Sequence, residues 1–213
     1  MRSIPLILAT PEVRAFLEGR KTTHRLPIAM LEKWRVLAGD PDTYVEHQGV
    51  NATGMHVARI TTHAPAPRHE FWVNTPIAPD DRIWIREAFA VFDATGTDPQ
   101  GPNIPVAVFL YRASQDAQGG YDVVLPDGSI ARCVPPKYRS PMQLQKAHAR
   151  LWATVKRVHV ERLQSLTPEA CAAEGSTSVD AFRKRWDKTH GVRNGWAKNP
   201  WVRVVTFERS EAP

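Results

Sequence analysis

The segment ARLWATVKRVHVER, residues 149–162, carries the longest strand signal in the chain. Apolar and polar side chains alternate along it, but the phase slips. Leu151, Ala153 and Val155 are apolar at odd positions, Val158 and Val160 at even ones. The slip between Lys156 and Val158 predicts a β-bulge, and bulges let a sheet bend or close into a barrel.

The flanking segments predict what joins that strand. SIPLILA (residues 3–9) reads as a short buried strand. TPEVRAFLEG follows and predicts a helix over Thr10–Glu18. Thr10 is its N-cap, Pro11 its first residue, and Glu12 faces the positive end of the helix dipole. Val13, Phe16 and Leu17 share one face, and Gly19 stops the helix. The same grammar returns in TPEACAAEG, which predicts a helix over Thr167–Glu174 stopped by Gly175. Ser178 caps a third helix that buries Val179, Phe182 and Trp186.

PDDRIWIREAFAVF alternates as one half-buried strand ending near Phe92. VAVFLYRA and YDVVL read as a hairpin turning near Gly119–Gly120, and WVRVVTFER as the last strand. Residues 38–80 and 93–105 are rich in turn formers and read as insertions. The first holds one strand near Met55–Ile60 and the APAPRHE tip. The expectation is a single α+β domain over 1–213, with a bent or closed, largely antiparallel sheet.

Composition narrows the function classes. The net charge of +6 gives mild support for a polyanionic partner, but no dense Lys/Arg block exists. Cys133 and Cys171 are the only cysteines and form no CxxC pair, which excludes a disulfide framework. The apolar run Ile4–Ala9 is too short for a signal-peptide core, and no stretch approaches a membrane span. A cytoplasmic protein with free thiols is expected. HExxH, Walker and GxGxxG motifs are absent, and His56, His63 and His69 match no zinc spacing. The reading expects no metal and no cofactor.

The stretch EGRKTTHR, Glu18–Arg25, is where chemistry is expected. Metal-free amide hydrolysis needs a nucleophile, a base and a donor for the leaving nitrogen. Lys21 serves as a base if burial near cations lowers its pKa, and Arg20 and Arg25 flank it. Otherwise it is a solvated lysine at a helix C-terminus. Glu174 lies where the helix dipole disfavours a carboxylate, so it calls for a partner or a function. It could hold Lys21 or shuttle a proton. A hydroxyl of Thr22 or Thr23, or an activated water, would attack. Arg25 or a backbone N–H past Gly19 would stabilise the oxyanion. His24 is a surface histidine or a group that stacks on a base. Glu87, among the apolar residues of IWIREAF, needs a partner if it points inward, and an arginine or Lys21 could supply one. Cys171, three residues before Glu174, is a thiol nucleophile or a small buried side chain.

The segments TPEVRAFLEGRKT, DDRIWIREAFA, YRA, ARLWATVKRVHVERLQSLTPEACAAEG and FRKRWDKTHG…NPWVRVVTFER occur in an order that resembles the ASCH family. That family is related to the PUA fold, and the likeness is to its phage and prophage members. The resemblance implies a small β-barrel with short helices at its mouth and an RNA- or nucleoside-related site in the cleft between them. Some small bacterial members hydrolyse the exocyclic amide of N4-acetylcytidine. They use a lysine, a threonine three residues later and a glutamate on the later helix. The lysine corresponds to Lys21 and the glutamate to Glu174. A gapless alignment puts His24 in the threonine place and Leu26 where the family has an arginine. A turn one residue shorter puts Thr23 and Arg25 there, and both alignments stay open.

The resemblance therefore implies catalysis by Lys21, Thr23 and Glu174 on an N4-acylated cytosine or cytidine. Arg20, Thr22, His24, Arg25, Trp84, Arg86 and Glu87 are expected to line the site. The alternatives are an RNA-binding module without catalysis, or a single-strand ribonuclease for which His24 would be a fitting base. The expected partner is a pyrimidine nucleoside or single-stranded RNA, met by a monomer without a membrane.

Overall fold

The computed structural model describes residues 2–28, 44–50, 56–61, 70–75, 77–96, 104–125, 128–135, 137–191 and 193–212. These form a mixed α/β chain with three α-helices and several sheets. The largest sheet has the order β1-β6-β11-β12-β2, built from Ser3–Ile7, Arg82–Arg86, Trp152–Arg162, Trp201–Ser210 and Thr23–Pro27. β1 and β6 are parallel, and the other three pairings are antiparallel. β1 and β2 are its two edges, and no closed barrel is found among the described residues. No helix among these residues is long and apolar enough to cross a membrane.

The bulge lies where the phase slip puts it. The β11–β12 register shifts between Val155 and Arg157, leaving Lys156 as the extra residue. Val155 and Val158 are thereby both buried, although one is odd and the other even.

Other sequence expectations are corrected. Residues 82–92 form two strands, with a break at Glu87–Ala88 between β6 and β7 (Phe89–Gly96). β6 is not half-buried. It lies between β1 and β11, and Ile83, Trp84 and Ile85 are all buried. β1 is the less buried strand, because it is an edge: Ile7 is 47% exposed.

The hairpin partners also differ. β8 (Ile104–Tyr111) pairs with β7 in an eight-residue register, and β9 (Tyr121–Val124) pairs with β10 (Ile130–Cys133). The turn at Gly119–Gly120 therefore connects two sheets. The insertion holds three strands rather than one: β3 (Tyr44–Val50), β4 (His56–Thr61) and β5 (Glu70–Thr75), in one antiparallel sheet. Residues 38–43, 97–103 and the APAPRHE tip up to residue 69 lie outside the described residues, as do His63 and His69.

α1 spans Thr10–Leu17 and α2 spans Pro168–Ala173, followed by α3 (Val179–His190). The α1 cap is Ala9, one residue earlier than expected. Its methyl group cannot accept a hydrogen bond. Instead Glu12, third in the helix, reaches back and accepts the Ala9 N–H at 3.0 Å. Thr167 and Ser178 cap as expected, accepting the N–H groups of Ala170 and Ala181. One core cluster gathers Phe16 of α1 with Ile83, Ile85, Val155 and Phe207. A second gathers Cys171, Phe182 and Trp186 of α2 and α3 with Val202 and Val204.

The C-terminal ends of α1 and α2 meet. The Thr22 N–H donates to Ala173 O at 2.8 Å, and Lys21 and Glu174 form an antiparallel bridge. Gly175 makes this approach possible. Its φ is +73°, and a Cβ there would lie 2.6 Å from Ala15 Cβ. Gly175→Ala is therefore expected to cost roughly 2–5 kcal/mol in denaturant unfolding, from strained backbone plus overlap. Gly19 has the same left-handed backbone but open space around it, so Gly19→Ala should cost only about 1 kcal/mol.

Candidate active site

Lys21, Thr23 and Arg25 are two residues apart, and a strand sends such side chains to one side. All three meet Glu174, which α2 presents just before its glycine stop. Lys21 is fully buried. Its Nζ donates to Glu174 Oε2 at 3.0 Å, to the backbone oxygens of Thr23 and Glu174 at 2.9 and 3.1 Å, and lies 3.2 Å from Glu12 Oε1. Glu174 Oε1 accepts Arg25 Nη1 at 2.9 Å and Thr23 Oγ1 at 3.3 Å. The rest of the Arg25 fork binds Glu161 Oε1 at 3.1 and 2.6 Å. A second layer reaches Glu12: His24 Nδ1 at 3.8 Å and Arg185 Nη2 at 3.7 Å. Three carboxylates, Glu12, Glu161 and Glu174, thus face three cations, Lys21, Arg25 and Arg185. Burial of each charge is offset by its partners.

Glu12, His24, Arg25, Glu174 and Arg185 line a cleft of about 600 Å³; Lys21 is buried, and neither it nor Thr23 is among the lining residues. Apolar residues, Pro5, Ile7, Leu26, Ile77 and Pro141 among them, also line it. Phe182 and Trp186 form part of the wall.

The electrostatics follow from this packing. Burial, then the Lys21 charge, pushes the His24 imidazole down to about 4, against the pull of Glu174 and Glu12. Burial pushes Glu12 up, but Lys21, His24, Arg185 and the Ala9 N–H together hold it below its ordinary value. Glu161 is likewise raised by burial, and its bonds to His159 and Arg25 bring it below the ordinary value.

These shifts predict an acid-sensitive fold. His24 ordinarily titrates near 6.5, so as pH falls the unfolded chain takes up the proton first. Stability should decline between about pH 6.5 and 4, and the His24 contribution should level off below that. Glu12 and Glu161 add their loss only as pH falls through 4.5 and below. His24→Asn should flatten the upper window in unfolding measured across pH.

The donor atoms of Glu12, His24 and Glu174 lie within 4.8 Å of one another, close enough to hold a metal ion. Lys21 Nζ already pairs with one oxygen of each carboxylate, Glu12 Oε1 and Glu174 Oε2. A divalent cation there would lie beside that ammonium, and the other two oxygens, Glu12 Oε2 and Glu174 Oε1, already accept the Ala9 N–H and Arg25.

The sequence-predicted residues divide into two groups. Lys21, Thr23, His24, Arg25 and Glu174 are brought together. Arg20 is exposed and pairs with Glu18, so the groups around Lys21 Nζ are carboxylates rather than a flanking cation. Thr22 is exposed, and its backbone ties α2 to Phe207. Trp84 and Arg86, on the interior strand β6, and Glu87, in the break after it, lie elsewhere. Trp84 packs with Ala149 and Trp152, and the Arg86 guanidinium lies 4.6 Å from the Trp84 ring centroid. Glu87 is buried against Arg150, which binds it in a fork at 2.9 and 3.0 Å. Cys171 is core: burial raises its thiol pKa and it packs in the second cluster.

Glu12, Glu161 and Arg185 complete the cluster; the sequence marks Glu12 only as a helix-dipole partner and gives Glu161 and Arg185 no role. Glu12 had a usable signal. It precedes the buried Phe16 by one helical turn, so it shares that face. Comparison of the chain with family models, curated proteins and solved structures returned no match.

Proposed function

We propose that this chain is a metal-independent amidohydrolase that removes the acyl group from N4-acylated cytosine or cytidine, on a sheet that belongs to a PUA-like barrel. One observation carries the reading: the Thr23 hydroxyl donates to the same Glu174 carboxylate that Lys21 and Arg25 hold, and Glu174 and Arg25 line a cleft. That contact favours the shorter-turn alignment, with Thr23 and Arg25 in the family's threonine and arginine places.

The contacts suggest the roles. Lys21 is engaged by two carboxylates and two backbone oxygens, so it acts as a fixed cation, and Glu174 is the proton carrier. Thr23 Oγ1 attacks the acyl carbonyl carbon as its proton passes to Glu174. Arg185 lines the cleft and holds its partners only at 3.4 and 3.7 Å, so its N–H groups meet the oxyanion. Glu174 then gives its proton to the N4 nitrogen, the C–N bond breaks, and the cytosine amine leaves. An ester remains on Thr23, and water hydrolyses it to the carboxylic acid. The aromatic and apolar residues of the lining suit a flat base and an acyl chain.

RNA binding, or single-strand cleavage with His24 as base, is the second reading. It is favoured by the placement of His24 in the cleft and the charge of +6. Absorbance-monitored turnover of N4-acetylcytidine, beside an RNA titration across salt, separates the two. The amidohydrolase reading expects release of cytidine by the wild type and a loss of about 10²–10⁴-fold in Thr23→Val. No turnover, with an RNA affinity whose salt slope falls in Arg185→Ala, would favour the second.

A further inference from the structure

His24 has no part in the first half of that reaction, yet it is built into the same cleft. Its Nδ1 is buried without a hydrogen-bond partner and points to Glu12 Oε1 at 3.8 Å. The side chain as a whole is 15% exposed, so the exposure belongs to atoms other than Nδ1, and His24 lines the cleft. Glu12 cannot turn away, because the Ala9 N–H holds its Oε2 and Lys21 its Oε1. One of the two ring nitrogens, Nδ1 or Nε2, lies within 4.8 Å of a Glu174 carboxylate oxygen. One water bridges such a gap with two hydrogen bonds of about 2.8 Å. Glu174 in turn touches Thr23 Oγ1, where the ester would form.

We infer, on the amidohydrolase reading above, that His24 is the base for the second half of the reaction, oriented by Glu12. The imidazole takes a proton from water through Nε2, and the resulting hydroxide oxygen attacks the ester carbonyl. The carbonyl C–Oγ1 bond breaks, the proton returns from His24 to Thr23 Oγ1, and the carboxylic acid departs. The groups that face His24 are Lys21, Arg185, Glu12 and Glu174. With burial, the first two keep the ring neutral near pH 7 against the two carboxylates, so its lone pair is available.

The test mixes N4-acetylcytidine with wild type, His24→Ala and His24→Asn, and follows cytidine release and protein mass. Both variants should release about one cytidine per chain and then slow by about 10²-fold or more, while an acetyl group accumulates on Thr23. Imidazole should restore steady turnover in His24→Ala and clear the adduct, a rescue that a purely structural role would not give. Unchanged turnover in both variants, or slow turnover with neither burst nor adduct, overturns the assignment of His24. A wild type that releases no cytidine overturns the amidohydrolase reading and His24 with it.

Discussion

Lys21→Met is expected to lower folding stability by about 3–5 kcal/mol, the range for removing one partner of a buried ion pair. Methionine fills much of the same volume, so the loss is electrostatic. Glu12 Oε1 and Glu174 Oε2 both lose the ammonium that lies 3.2 and 3.0 Å from them, and neither reaches water easily. Lys21→Arg should not rescue. A guanidinium is larger and planar, and the site closes on Nζ with contacts of 2.9–3.2 Å. Glu12→Gln should cost less, since Lys21 keeps Glu174. Guanidinium unfolding followed by tryptophan fluorescence gives the difference. A change of less than about 1 kcal/mol for Lys21→Met would mean that the carboxylates are solvated in the folded chain.

Glu174→Gln is expected to abolish turnover and also to lower stability, although Lys21 keeps Glu12 and Arg25 keeps Glu161 as partners. Glutamine keeps the shape and can still accept one hydrogen bond from Thr23 or Arg25. It cannot take the Thr23 proton or deliver one to the leaving nitrogen. The loss should reach about 10³-fold and appear in kcat rather than KM, because the proton moves only in the transition state. Retention of a tenth of the wild-type activity would remove Glu174 from the proton path.

What the sequence makes legible depends on the range of the physics. Helix stops are local, so TPEVRAFLEG and TPEACAAEG identify α1 and α2 to within a residue at each end. The bulge is legible for the same reason, because Val155 and Val158 cannot both be buried without it. The two glycine stops bring Lys21 to Glu174, and the pleat of β2 adds Thr23 and Arg25. Leu26, at an even position, packs against the main core cluster.

Partners contributed from a distance in sequence leave no such trace. Glu161 meets Arg25 across 136 residues, and Arg185 comes from a helix otherwise read only for its apolar face. Trp84, Arg86 and Glu87 mislead for a physical reason. A strand read as half-buried has a site-facing side, but β6 is covered on both faces, and Glu87, in the break after β6, answers to Arg150. The strands over 44–75 are masked in sequence by the turn formers between them.

The central claim is that Lys21 and Glu174 act as one unit on an amide. A double-mutant cycle on kcat/KM for N4-acetylcytidine tests it most directly, using wild type, Lys21→Ala, Glu174→Ala and the double variant, each checked for folding. The account predicts measurable cytidine release by the wild type, loss in each single variant, and a double variant no worse than either single one. A folded wild type that leaves N4-acetylcytidine intact, or losses that simply multiply in the double variant, would contradict it.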